Sequence, residues 1–538
     1  MIDLEIPWAD ERNRTYRFFE ILPGLLSYLI LVAPIVISVF NTAIAAYFLI
    51  SYVLIWVMKS AAMSRRVFEG HSRIKQTAAL DWEQMLTDIS EPALAIDRLD
   101  GQKPINKFHA AHIRILESLK TRELGIYPNE VHHAVMIATY NEPPEIVEPT
   151  IKYILESTGF DKKRISLFIA YEARAGIQKA KETKELVSKY KKHFMHAEAV
   201  EHVLQKNEIP GKGSNANWAG RRIQAWSKSK KLKPSKVLVT VLDADNRPDV
   251  NYLACLTYTY CLAENRKQKS YQPVAMYVNN VWDVPAIARI SAIANTYFHT
   301  ANSMRLHALR NFSAHAQSLD ALIDTNFWSG RTIVEDGHQF WRTYIRYRGD
   351  HEVLPLYAPI YQDAVYVGSY RKTMIAQFKQ IRRWTYGASD VAYLATKVLK
   401  NKDIPRLDAL FKFGRLLEGH VGWATSAPLI FLSGWIPLVF AIDSSDNIVA
   451  QQLPNIIARI NSFALILLFV VMYIGMVTLP NRPKRYTRFR YLAFIWQWLF
   501  MPISATVFNS FASLSTQTRL IFGLYLERFD VTEKAIKE

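Results

Sequence analysis

The stretch "KVLVTVLDADNRPD", Lys236 to Asp249, decides the reading of this chain. Its first seven residues are apolar on both faces, as in a strand buried at the centre of a sheet. The run ends on Asp243 and Asp245, two apart at the strand's carboxyl end. Working outward, "AVMIATY" (Ala134 to Tyr140), "SLFIAY" (Ser166 to Tyr171) and "VAMYVN" (Val274 to Asn279) predict three more buried strands, with helix-length amphipathic segments between them. That alternation is α/β patterning, a Rossmann-like mixed sheet. In open α/β sheets ligands bind at the carboxyl ends of the strands, where the polar residues of the first two strands and of "DAD" all fall.

The sheet lies between long apolar blocks. Ile21 to Met58 has no Asp, Glu, Lys or Arg, about 57 Å of helix at ~1.5 Å per residue. One crossing of a bilayer core takes about 20 residues, so this block predicts two membrane helices turning near Asn41 and Thr42. Three more uncharged blocks follow, Val421 to Ile442, Asn461 to Pro480 and Tyr491 to Thr518. Lys59, Arg65 and Arg66 follow the second crossing, and Arg482, Lys484, Arg485, Arg488 and Arg490 crowd the loop before the last block. The positive-inside rule makes both cytosolic, and the middle domain with them, while the loop Asp443 to Ile460 faces outward. The expected organisation is an N-terminal segment 1–20, two transmembrane helices 21–60, a linker or helical region 61–130, the α/β domain 131–400, an interfacial amphipathic helix 401–420, three to four transmembrane or re-entrant helices 421–526 and a cytosolic tail 527–538. A multi-pass protein of the plasma (inner) membrane is the expected localisation.

Composition agrees. Sixty-six Lys and Arg against 48 Asp and Glu give a net charge of +18, which suits a membrane surface, nucleic acid or a phosphorylated substrate. No nucleic-acid motif accompanies the charge, so no nucleic-acid partner is expected. Two cysteines, Cys255 and Cys261, exclude a disulfide framework or a cysteine zinc site.

Each motif has a plain structural explanation beside a chemical one. Asp243 and Asp245 can share a divalent cation completed by water and diphosphate oxygens, or they can form an Asx-rich turn. Glu335 and Asp336 in "TIVEDGHQFWR" read as an N-cap aspartate with a helix-dipole partner. Gln380, Arg383 and Trp384 in "QFKQIRRWTYG" read as a basic helix at the membrane surface. "GKGSNANWAG" (Gly211 to Gly220) matches G-x-G-x-x-A, but Asn207 to Pro210 is a turn where a dinucleotide fingerprint needs a strand.

The order of these cues is more specific than any one of them: strand then TYNE, strand then an acid, strand then DAD, then ED, then QxxRW, then membrane. The chain resembles the membrane-integrated family 2 glycosyltransferases, the group of cellulose, chitin and hyaluronan synthases with a GT-A catalytic domain. "FDVTEK" (Phe529 to Lys534) is similar to the FxVTxK motif after the last membrane helix of cellulose synthases. The resemblance implies that Thr139, Tyr140, Asn141 and Glu142 line a nucleotide pocket. It puts Glu172 where the family usually has a uridine-contacting aspartate, and makes Lys212 a diphosphate contact. Asp243 and Asp245 become ligands of Mg2+ or Mn2+. Asp336, with Glu335 beside it, becomes the catalytic base, although "VED" replaces "TED". Arg383 then assists the diphosphate, and Gln380 and Trp384 meet the acceptor.

The expected function is inverting transfer from a UDP-sugar to a glycan or lipid-linked acceptor at the cytosolic membrane face, building a β-linked polysaccharide, with membrane lipids and unidentified accessory subunits as further partners. Single-sugar addition is the alternative, because "HAQSLDAL" (His315 to Leu322) departs from the acceptor-sensing motif of cellulose synthases. A membrane-anchored nucleotide-binding regulator without catalysis is a further one, opposed by Asp243, Asp245 and Asp336.

Overall fold

The computed structural model describes residues 3–442 and 447–527. Eight strands form one mixed sheet: β1 (His132–Thr139), β2 (Ile165–Glu172), β3 (His196–His202), β4 (Val237–Asp243), β5 (Arg247–Pro248), β6 (Lys269–Met276), β7 (Ala316–Ser318) and β8 (Glu352–Tyr361), in the order β3-β2-β1-β4-β7-β6-β8-β5. β1 is parallel to β2 and β4, and β2 to β3. β7 is antiparallel to both β4 and β6, so β6 runs with β4, and β8 is parallel to β6. Thr139, Glu172, Asp243, Met276 and Tyr361 therefore end their strands at one edge. The chain leaves β1 for β2 and β3 on one side and returns to β4 on the other, a switch in direction that opens a crevice between β1 and β4.

Both faces of the central strands are covered, which is why they read as continuous apolar runs. Val135 and Ile137 of β1 pack with Leu238, Leu242, Leu253 and Trp82, while Ala134 and Met136 face Val239, Val241, Ala216, Ile223 and Trp226. Trp82, Met85, Leu86, Ile89 and Leu116 belong to the first of these cores. The helices within residues 82–119 thus contribute to this core.

Other boundaries also change. β6 begins at Lys269, five residues before the expected start, because buried polar side chains interrupt its apolar pattern. Gln272, for one, accepts from Phe312 N at 2.8 Å and donates to Ser313 O at 3.2 Å. β3 alternates partly exposed Glu and His with apolar residues, as suits the sheet's edge. β5 and β7, at two and three residues, are too short for any periodicity.

Five helices are long and apolar enough to cross a membrane: Arg14–Phe40, Thr42–Ala78, Arg406–Phe440, Ile448–Val477 and Arg490–Ile521. The first two meet at Asn41, whose side chain caps the second by accepting from Ile44 N at 3.1 Å. The amphipathic stretch Leu407–Glu418 is not a separate surface helix, since it forms the first turns of a continuous helix Arg406–Leu432. Helix Ile448–Val477 begins inside the expected outer loop, with Asn447 as its cap at 3.1 Å from Ala450 N. Asp443, Asp446 and "FDVTEK" lie outside the described residues.

The fifth helix differs from the other four. At its start Arg490 donates to Trp282 O at 3.1 Å, and Arg289 donates to Gln497 Oε1 at 2.5 Å. At its end Leu520 and Ile521 carbonyls accept from Arg17 at 3.1 and 2.9 Å, close to where the first helix leaves the domain. A crossing would separate its ends by about 30 Å, yet both lie against the α/β domain. Pro502 and a π-helical stretch Ser504–Phe511 interrupt it, as helix kinks require a cause of this kind. The fifth helix is thus held against the α/β domain at both of its ends. Single cysteines at Arg488 and Leu524 should accordingly label from the same side of a sealed vesicle, and a cysteine at Phe440 from the other. Labelling of the Leu524 position from the Phe440 side would make this helix a crossing.

Candidate functional site

At the crevice, helix Lys212–Ser229 points its first residue at the end of β4. Lys212 Nζ sits 2.6 Å from Asp243 Oδ1 and 3.5 Å from Glu335 Oε1, its side chain only 12% exposed. Burial works against the ammonium, but Asp243, Glu335 and Asp336 together outweigh it and hold its proton more tightly than in an ordinary lysine. Burial pushes the Glu335 carboxyl up to about 7, with Lys212 opposing and Asp336 adding to the rise. Such displaced carboxyls are characteristic of working sites. Gly213 permits the approach: a Cβ there would lie 2.5 Å from Ser329 O and 3.0 Å from Glu335 Cβ.

Asp243 is oriented from several directions. Ser313 Oγ donates to its Oδ2 at 2.5 Å, and its backbone N–H donates to Asn246 Oδ1 at 2.9 Å. Asp245 is buried and its Oδ2 accepts from Asp363 N at 3.2 Å. Asp363 follows β8, and its own buried Oδ1 has no hydrogen-bond partner. No group of three or more His, Cys, Asp or Glu is placed to hold a metal ion among the described residues. The donor set nonetheless fits a cation completed by a substrate's phosphates, which needs only one or two carboxylates. Lys212 already places positive charge on Asp243, and the orphaned Asp363 oxygen adds unsatisfied negative charge beside Asp245. Asp363 escaped sequence reading because a lone acid after a strand carries no pattern.

On the β1 and β2 side, Thr139 Oγ1 and Tyr140 N both donate to Glu142 Oε2, at 2.9 and 2.8 Å. Glu142 therefore shapes its own loop, and Lys179 binds the Glu142 carbonyl. Glu172 is buried and takes two hydrogen bonds from Arg174, at 2.5 and 3.1 Å. Arg174 in turn lies 4.3 Å over the Tyr140 ring. Glu172 thus orients Arg174 against the Tyr140 ring. Asn141 is exposed at the rim.

Asp336 stands in the first turn of helix Glu335–Arg346, its Oδ1 accepting from Gly337 N at 2.7 Å. It does not act as the helix cap, a position held by Val334. Tyr277, just past β6, was not anticipated. Burial raises its phenol, and the charges of Asp243, Asp245 and Asp336 add to that while Arg383 opposes it, so the ring lies within the field of all four groups. Tyr277 also meets Trp384, with ring centroids 6.2 Å apart. Gln380, Arg383 and Trp384 share helix Tyr370–Thr385, all three half-buried. Trp384 packs near Trp423, Val507 and Phe508 of the apolar helices. Far from lying freely on a surface, this helix is pinned: Thr516 Oγ1 donates to Arg382 O at 3.0 Å. The last described residues close the arrangement, for Leu526 packs with Ile333 and Val334 immediately before Glu335.

His315 lies within the field of Asp336 and Lys212 but is structural. Its Nδ1 donates to Phe312 O at 2.9 Å and its Nε2 accepts from Trp328 Nε1 at 3.1 Å, while burial pushes it down to about 4.

No protein-family model matches the chain, and no curated protein sequence does. Among solved structures, a mannosyltransferase from Pyrobaculum calidifontis in complex with GDP-Man and Mn2+ is similar at 12% identity over 82% of this chain and 99% of that one, with a TM-score of 0.40. S. aureus TarS residues 1–349 are similar at 13% identity over 65% and 93%, TM-score 0.30, and a longer TarS structure at 11% over 66% and 57%, TM-score 0.29.

The raised Glu335 carboxyl sets a pH dependence. Its folded pKa exceeds the unfolded value near 4.5, so the fold binds the extra proton between these values and loses stability as pH rises through about 7. Glu335→Gln removes this titration. The melting temperature of the variant relative to wild type should climb between about pH 5 and 7.5 and then level. A difference independent of pH would show that Glu335 is ionised throughout.

Proposed function

We propose that this chain is an inverting glycosyltransferase of GT-A type, working at a membrane and moving a sugar from a UDP-sugar to an acceptor hydroxyl. The observation that carries the proposal is the Lys212 ammonium held between Asp243 and Glu335, at the switch point of the sheet and in the electrostatic reach of Asp336. Diphosphate departure needs positive charge at that point, and deprotonation of an acceptor needs a carboxylate opposite it.

Asp243 and Asp245 would hold a divalent cation, which when bound neutralises charge on the donor diphosphate. Lys212 supplies the same sign of charge from the protein itself, and Arg383 adds a second cation on the side of Tyr277. Glu335, its carboxyl pushed up to about 7 by burial, is partly protonated near neutral pH, which lessens its repulsion of the diphosphate. Asp336 takes the acceptor's proton as its oxygen forms the new glycosidic bond. The bond to the diphosphate breaks in the same step, and the nucleotide leaves as UDP. Trp384 and Tyr277 offer aromatic faces to a sugar ring. The catalytic side faces the cytosol on the charge pattern of the flanking loops.

Asp243→Ala or Asp245→Ala should abolish transfer from a labelled UDP-sugar, as should chelation, with Asp336→Asn keeping UDP binding while turnover falls by about 10² or more. Full activity in excess chelator, or near-normal turnover of Asp336→Asn, would overturn the assignment.

Product length separates polymer synthesis from single addition. Loss of a stacking platform costs roughly 1–3 kcal/mol by analogy with base stacking, enough to release a growing chain early. Trp384→Ala should therefore shorten a long product over a time course, and a single added sugar from wild type at saturating donor would rule out polymer formation.

A further inference from the structure

A second cationic cluster lies away from the crevice, where the second and third apolar helices enter the domain. Lys59 is the first charged residue after the Ile21–Met58 block, and Glu418 the last before the Val421–Ile442 block. The two form an ion pair, so they mark one level on neighbouring helices. Trp56 lies at that level, 4.7 Å from Lys59 Nζ, as interfacial tryptophans do. On the domain side of this level stand Arg66, seven residues beyond Lys59, and Arg415, three residues before Glu418, about 10 Å and 4.5 Å along their helices. Headgroups occupy this depth.

Between the two helices comes Arg305, from the loop after helix Ala286–Ser303. Arg305 feels the charges of Arg415, Arg66 and Arg310 against the single acid Glu418, which Lys59 already binds. Arg415 donates to His307 Nε2 at 3.1 Å, and Lys412, ion-paired with Asp408, stands nearby. The Nε atoms of Arg305 and Arg415 are both buried with no hydrogen-bond partner. Burial and these neighbours bring the Arg305 guanidinium down to about 10. Three arginines converging with so little opposing charge are costly without an anion. Guanidinium groups match phosphate oxygens in both charge and geometry.

We propose that Arg66, Arg305 and Arg415 bind the phosphate of an anionic lipid headgroup, with Lys412 and His307 at the rim of the site. The lipid source follows from the level of the cluster, one to two helical turns from the charge boundary and beside Trp56. The site rests on reading the apolar helices as membrane-spanning, and is independent of the transfer reaction.

Native mass spectrometry of the full chain, extracted from vesicles of phosphatidylcholine with phosphatidylglycerol, reads the site directly. Wild type should retain phosphatidylglycerol, and Arg305→Gln/Arg415→Gln should lose about tenfold in retention. Arg66→Gln, on a different helix, should weaken retention in the same direction, which guards against misfolding of the double variant. Arg482→Gln/Arg488→Gln, in the other basic loop, should retain lipid as wild type does. Equal retention by all variants would overturn the proposal, as would equal loss in the Arg482/Arg488 variant, which would mean diffuse attraction. Displacement of the lipid by equimolar inorganic phosphate would assign the site to a soluble anion instead and overturn the lipid reading. Retained sugar transfer in a variant that has lost its lipid would leave the proposed reaction standing; loss of lipid specificity and of transfer are thus read separately.

Discussion

The Lys212 ammonium, almost out of water between Asp243 and Glu335, is the interaction on which the rest of the crevice depends. Without it three acids, Asp243, Glu335 and Asp336, would share a poorly solvated space, and mutual repulsion would force them apart. The residues that make the contact possible are otherwise unremarkable. Gly213 lets the helix start abut Ser329 and Glu335, and Ser313 turns the Asp243 carboxylate from its other side. Buried ion pairs of this kind stabilise little, because desolvation offsets most of the attraction. Their retention is better understood as holding charges in a fixed arrangement.

That arrangement is braced from three directions distant in sequence. Arg342, fully buried on the helix that begins with Glu335 and Asp336, donates to Leu4 O at 2.8 Å and Glu5 Oε1 at 2.6 Å, and to Thr325 O at 2.7 Å. The N-terminal segment thus anchors the helix bearing the candidate base, before the chain enters its first apolar helix. The opposite end of the chain contributes Leu526 against Ile333 and Val334, and Thr516 against the helix of Arg383 and Trp384. The apolar helices therefore do more than anchor the domain, since the fifth one holds two walls of the crevice.

Much of this was legible in the sequence. The four central strands with both faces apolar, the paired acids at the end of β4 and the turn at Asn41 follow from local patterns, because each depends on periodicity or on residues close in the chain. β3, β5, β7 and β8 did not announce themselves. Edge position, shortness and, in β8, a half-buried stretch around Pro355 weaken the alternation that identifies a strand.

What the sequence determined by itself was the inventory: a strand-end acid pair, apolar helices of crossing length, and a basic excess beside them, all of which depend only on composition and spacing. The tertiary structure decided which of these act together. Ser313 meets Asp243 and Asp363 meets Asp245, with Tyr277 in the field of both acids, through strand order, a property of pairing between distant segments. The same holds for the fifth apolar helix. Its length and hydropathy match a crossing, but Trp282 holds its start, and Arg17 of the first apolar helix together with Ile333 and Val334 of the domain holds its end, and only long-range contacts carry that information.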